Sequence, residues 1–168
     1  MKLNEESGKQ ELSMSKVLDA TSEQVFEAWV DPHQMAQWWG PKGYTNPVCE
    51  LEIRAGGQIW IEMTDPNGKV HPVGGIFQVI VKGQQLVFTT KSFMDAQNNP
   101  GMLNLNSVQF QEHVDGKTKL ALKVIVVRST PEMAMQLDRM REGWSQSFDR
   151  LARLLEKNEV LVSPAVHS

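Results

Sequence analysis

Residues 26–45 read FEAWVDPHQMAQWWGPKGYT, and the punctuation inside this stretch decides how the chain is built. Asp31-Pro32 stops one helix and starts another, because aspartate is a good N-cap and proline is tolerated at the first helical position. Upstream, Thr21 followed three residues later by Gln24 fits a capping box, and Val25, Phe26, Trp29 and Val30 recur at helical spacing. Downstream, Met35, Trp38 and Trp39 fall at i, i+3 and i+4, so a two-turn helix is expected to carry all three on one face. Gly40 supplies its stop and Pro41 prevents continuation. Helices this short do not stand alone and must dock on something broad.

The flanking sequence supplies that surface. Before the helices, ELSMSKVLDA is strand-like, with Leu12, Met14 and Leu18 on alternate positions. After them, residues 47–128 hold six extended segments separated by turn signals at 55–57, 65–68, 82–83, 95–102 and 115–116. Short turns between successive strands imply antiparallel neighbours, hence a meander. In CELEIR, Cys49, Leu51 and Ile53 alternate with charged residues, as in a strand with one wet face. A three-residue loop at Asp115, Gly116 and Lys117 sets Phe110 opposite Leu122 and Val108 opposite Val124, so the apolar faces coincide; a two-residue loop mixes polar with apolar. The glycines at 56–57 and 74–75 precede no helix and read as bends of a curved sheet, not as phosphate cradles.

From Thr130-Pro131-Glu132, a helix start, the series Met133, Leu137, Met140, Trp144, Phe148, Leu151 and Leu155 continues at steps of three and four, predicting a helix over 131–157. At 1.5 Å per residue it is ~40 Å long, which matches a strand of about twelve residues. The expected architecture is α+β: a curved antiparallel sheet of seven strands wrapped around a long C-terminal helix, with two short helices after the first strand. One domain over 11–157 is expected, between tails at 1–10 and 158–168 that are polar or proline-containing and expected to fray.

These stretches, together with GGIFQVIVKGQQLVFT at 74–89 and EGWSQSFDRLARLLEK at 142–157, resemble the activator of heat-shock protein ninety ATPase homologue (AHSA-type) family. That family belongs to the START-related, birch-pollen-allergen-like superfamily called SRPBCC. The resemblance covers residues 12–157 and implies a helix-grip fold in which sheet and long helix enclose an apolar cavity. The family's aromatic pair before Gly-Pro matches Trp38 and Trp39, and its helix tryptophan after Glu-Gly matches Trp144; the sheet offers Phe77, Val79, Phe88, Val108 and Phe110 as the residues facing them.

On that reading Trp38, Trp39, Phe88, Phe110, Met140, Trp144 and Phe148 are the candidate walls for a small hydrophobic ligand, with the Trp38-Trp39 helix roofing the mouth. A stripe of aromatics and methionines at helical spacing is more often ordinary core than a ligand box. Trp60 competes with Ile59, Ile61 and Met63 for the inward face of its strand. Met133, Met135 and Met140 favour an adaptable pocket, because methionine repacks around irregular shapes. Glu112 shares the face of Val108, Phe110 and Val114 and is the candidate acid if the chain is a cyclase or hydrolase, as some superfamily members are; Gln78 and Tyr44 are the other polar candidates. A carboxylate there has a raised pKa, a partner, or access to water at the strand end.

The remaining composition excludes classes. A net charge of −3 with no basic stripe argues against nucleic acid. His33, His71, His113 and His167 lack metal-ligand spacing, so neither metal nor cofactor is expected. The single Cys49 forms no internal disulfide, and no apolar run spans a bilayer, which makes the cytoplasm the expected compartment. Besides a small hydrophobic molecule, the partners to weigh are a second copy of the chain and a heat-shock chaperone.

Overall fold

The computed structural model describes residues 10–97 and 99–167, with side chains excepted at 134, 135 and 158–167. The tails expected at 1–10 and 158–168 lie outside that description apart from Gln10 and the helical backbone up to His167, and the side chain of Met135 lies outside it too. The elements are β1 (Glu11–Leu18), α1 (Ser22–Val30), α2 (Pro32–Trp38), β2 (Thr45–Leu51), β3 (Gln58–Thr64), β4 (Val70–Val81), β5 (Gln85–Ser92), β6 (Met102–Glu112), β7 (Thr118–Ser129) and α3 (Leu137–His167). The strands form one antiparallel sheet in the order β1-β7-β6-β5-β4-β3-β2, a meander from β2 to β7 with β1 closing beside β7.

Local signals set most boundaries. The capping box at Thr21 and Gln24 closes in both directions, at 3.2 and 2.9 Å. Asp31 ends α1, since its N–H bonds to Glu27, and starts α2, since its carboxylate accepts from the His33 N–H. Gly56, Gly68, Gly83 and Gly116 occupy the left-handed region at four of the five turns expected from the sequence. The inward face of the sheet is apolar over most of its width: Leu12, Ile59, Ile61, Phe77, Leu86, Phe88, Val108, Phe110, Leu120, Leu122 and Val124 are all buried. Phe148, Leu151 and Leu155 bring the opposing face from α3. Each such side chain contributes about 1.5–3 kcal/mol when removed from water.

Five expectations need correction. Val79, expected to face the cavity, is exposed, because a bulge between Phe77 and Val79 shifts the β4 register. The β6–β7 register is displaced by two residues, with Phe110 opposite Leu120 and Val108 opposite Leu122, because the loop takes five residues, 113–117, around a 3₁₀ turn with Asp115 at φ 59°. A shift of two preserves which face each side chain takes, so the apolar sets still coincide. Trp39 is not in the helix: α2 ends at Trp38, and Trp39 is its extended C-cap (φ −66°, ψ 132°). The last helix begins at Leu137 after a 3₁₀ turn at Met133–Gln136, and runs to His167, past the expected end at 157. Ile53 lies beyond the end of β2 and is exposed.

Candidate functional site

The aromatic residues singled out in the sequence form one cluster, and its centre is a residue not among them. Trp29, fully buried on α1, approaches Trp38 at 4.7 Å between ring centroids, Phe88 and Phe110 at 6.2 Å, and Trp144 at 6.1 Å, stacked on the last. Trp39 meets Trp144 edge-on at 5.3 Å, and Trp144 meets Phe148 at 5.8 Å. The helical spacing of Val25, Phe26 and Trp29 was the signal for this position; it marked core without marking the hub. Trp60 points the other way, to the outer face, where its Nε1 donates to Glu62 at 3.0 Å.

The loop after the paired tryptophans is strapped to α3. Arg150 donates to five carbonyl oxygens, those of Gln37, Trp39, Gly40, Pro41 and Tyr44, at 3.0–3.2 Å. Among the described residues it has no carboxylate within ion-pair distance. A planar cation thus saturates the unsatisfied carbonyls at the C-terminus of α2 and opposes its dipole. Gln146 Oε1 accepts from the Lys42 N–H at 2.9 Å. Asn46 holds the same turn from below, donating to Ala36 and Trp39 carbonyls at 3.0 and 2.8 Å.

Between sheet and helices this packing leaves a cavity of about 10 Å³, no more than the room of a single water. Of the seven expected wall residues, Trp39 and Phe88 line it, beside Trp29, Ile61 and Phe77. Trp38, Phe110 and Phe148 are packed core, at 0%, 4% and 1% exposure. Trp144 and Met140 are half-buried against that core. The grip is closed at its Phe148–Leu155 end and more open toward the start of α3.

At that more open end the inner sheet face turns polar. Thr90, Asn104 and Asn106 are buried on β5 and β6, in line with Phe88, Val108 and Phe110. Near the same strand ends Phe93 is exposed in the left-handed region (φ 55°), a conformation rare for a bulky residue. Gly101 sits between Phe93 and Met133, where a Cβ would meet each side chain at 3.1 Å.

The polar candidates named from sequence do not converge. Glu112 and Gln78 are exposed, Glu112 where β6 runs out into solvent. The Tyr44 ring lies 5.8 Å from that of His71, which bonds to Asp65 at 3.0 Å. Among the described residues no three His, Cys, Asp or Glu side chains cluster as metal ligands, and no helix is long and apolar enough to cross a membrane. Outside the grip, a shallow depression of about 250 Å³ lies against α2 and β2, lined by Asp31, His33, Asn46 and Cys49 among others. Burial pushes the Cys49 thiol up to about 11, with the carboxylates of Asp31 and Glu50 adding to it, so the sulfur is held as a poorly nucleophilic thiol.

Solved structures share this arrangement. A Nitrosomonas europaea protein is 22% identical with a TM-score of 0.73, over 89% of this chain and 96% of that one. A Silicibacter pomeroyi AHSA1 protein is 24% identical with a TM-score of 0.74, over 89% and 99%. An Arthrobacter aurescens protein is 22% identical with a TM-score of 0.76, over 88% and 86%. At these identities the likeness establishes the fold. No curated protein matches the sequence. Residues 19–156, from the turn before α1 into the body of α3, match the family described as Activator of Hsp90 ATPase homolog 1-like protein, and the chain belongs to that family.

Proposed function

We propose that the protein binds a small hydrophobic molecule between the sheet and the first turns of α3, without catalysing its conversion. The observation that carries this reading is the asymmetry of the grip. Phe148, Leu151 and Leu155 seal one end completely, whereas Leu137, Met140 and Trp144 are only half-buried at the other, behind a 3₁₀ turn instead of a full helical one. Because the resting cavity has room for one water at most, a ligand enters by displacing Met140 and Trp144, and binding is coupled to movement at the start of α3. Native mass spectrometry of freshly purified protein, against its denatured mass, tests this: a defined non-covalent adduct is expected. A bare mass, with no thermal shift across a panel of hydrophobic compounds, overturns it.

A second reading follows from the family description, which names activation of the Hsp90 ATPase. Trp60, Ile76, Val79 and Val81 are exposed on β3 and β4, at 37–48% with neighbouring Val70, and offer an apolar outer surface to a protein partner. Retention of a heat-shock chaperone by wild-type protein, lost in Trp60→Ser, is the result that ranks this reading first.

A further inference from the structure

Beneath Met140 the grip contains an amide that the fold does not use. On β6 the inward positions run from Phe110 and Val108 to Asn106 and Asn104, and on β5 Phe88 is followed inward by Thr90. The three polar residues are 1%, 5% and 7% exposed, in the order Asn106, Asn104, Thr90. Asn106 is accounted for, since its Nδ2 donates to the Phe88 carbonyl at 3.2 Å and to Thr90 Oγ1 at 3.1 Å. Asn104 is not: its Nδ2 has the Met140 thioether at 3.5 Å, and its Oδ1 is buried with no partner. Exchanging the two amide atoms would set oxygen against the Met140 sulfur and lose that contact. Leucine, of similar size, would fill the position without burying an unpaired polar group. Packing alone does not account for the asparagine.

Its surroundings limit what is recognised. Among the described residues the buried polar side chains are Asn46, Thr90, Asn104, Asn106, Thr118 and Ser147, none of them charged, so an ionised group brought here finds no buried countercharge among them. The cover over Asn104 is a methionine, the side chain that most readily repacks. Farther out along β5 and β6, Phe93 and Met133 close around Gly101. We infer that Asn104, with Met140 as its displaceable cover, is the recognition end of the ligand site. The ligand is an amphipathic molecule whose apolar body ends in an uncharged amide-type head, giving an acceptor to Nδ2 and a donor to Oδ1. This rests on the ligand-binding reading above and supplies its chemistry.

Three probes with similar bodies and different heads test it: 4-phenylbutanamide, butylbenzene and 4-phenylbutanoate at pH 7, followed by tryptophan fluorescence and by the ¹H–¹⁵N signals of the Asn104 side chain. The amide is expected to bind at least tenfold tighter than the other two and to move the Asn104 signals, since a site built to hydrogen-bond a group rejects analogues lacking it. Asn104→Leu is expected to remove that margin while raising Tm, and Met140→Ala to tighten amide binding. If Asn104→Leu does not fold, Asn104→Ser is read for the same margin. Equal binding of amide and hydrocarbon, in wild type and variant alike, or amide binding that leaves the Asn104 signals unmoved, overturns the assignment and leaves the hydrophobic site standing. No binding of any of the three overturns both.

Discussion

Ser147 holds Gly40 by both of its backbone groups: Oγ accepts from the Gly40 N–H at 3.1 Å and donates to the Gly40 carbonyl at 2.9 Å. Both residues are buried, so neither bond is replaced by water when the hydroxyl is removed. Ser147→Ala is expected to cost about 1–3 kcal/mol, the penalty for leaving a buried donor unsatisfied. Arg150→Lys keeps the charge but loses the fork that reaches five carbonyls, and is expected to cost a similar amount. Urea unfolding midpoints check both; changes below about 0.5 kcal/mol would mean that the strap is ornamental.

Trp29 and Trp38 are both fully buried, yet their indole nitrogens differ. Trp38 Nε1 donates to the Ala28 carbonyl at 2.9 Å, whereas Trp29 Nε1 is buried without an acceptor. Trp38→Phe loses packing and a hydrogen bond and leaves a carbonyl unpaired. Trp29→Phe loses packing alone, and is expected to be the milder change by about 1 kcal/mol. It also widens a cavity that Trp29 lines, so Trp29→Phe is expected to gain thermal stability from benzene where wild type does not. Thermal melts with and without benzene decide both points.

Two adjacent glycines on β4 carry different constraints. A Cβ on Gly74 would rest on the Trp60 ring at 3.4 Å, an ordinary contact, while a Cβ on Gly75 would run into the Thr89 carbonyl oxygen. Gly74→Ala is expected to stay within about 1 kcal/mol of wild type, and Gly75→Ala to lose several times that, because the β4–β5 ladder must part. Equal melting temperatures for the two variants would contradict the strand spacing described here.

The Cys49 thiol sets a pH dependence. Its pKa is raised to about 11 in the folded protein against roughly 8.5 in an unfolded chain. The native state therefore keeps a proton that the unfolded state releases, and stability falls as pH rises from about 8.5 toward 11. Below that window the contribution is fully present. Cys49→Ala is expected to flatten the alkaline limb of a stability profile, and wild-type Cys49 to alkylate far more slowly at pH 8 than after denaturation.

Much of the fold was legible because its punctuation is local. Asp31-Pro32, the capping box at Thr21, and the glycines at 56, 68 and 83 each act through their own neighbours, and each stands where the sequence placed it. What depends on distant partners was less legible. The loop at 113–117 could be bounded by parity but not by length, so the β6–β7 faces were right and the pairing was two residues off. Trp39 satisfies helical spacing, but the turn at Gly40 takes it out of the helix and sets it against Trp144. In the candidate site, the aromatic set converges because core-facing periodicity marks burial; it does not tell wall from filling. Asn104 and Asn106 had a signal, since the alternation through Phe110 and Val108 continues backward onto them. Polar letters on an apolar period are easily taken for its end.

The strand order has a consequence for how the molecule is made. Among the described residues β1 pairs only with β7, with Leu12 opposite Val124, so the first strand of this sheet to be synthesised waits for the last. Until then Leu12 and Leu18, both buried in the finished protein, have no place to go. The meander from β2 to β7 grows by neighbour-to-neighbour hairpins, whereas docking β1 brings together residues far apart in sequence, such as Leu18 and Thr118, the entropically slow kind of contact. Refolding is expected to show a rapid phase for the hairpins and a rate-limiting one for β1, and during synthesis β1 stays unpaired until β7 has emerged.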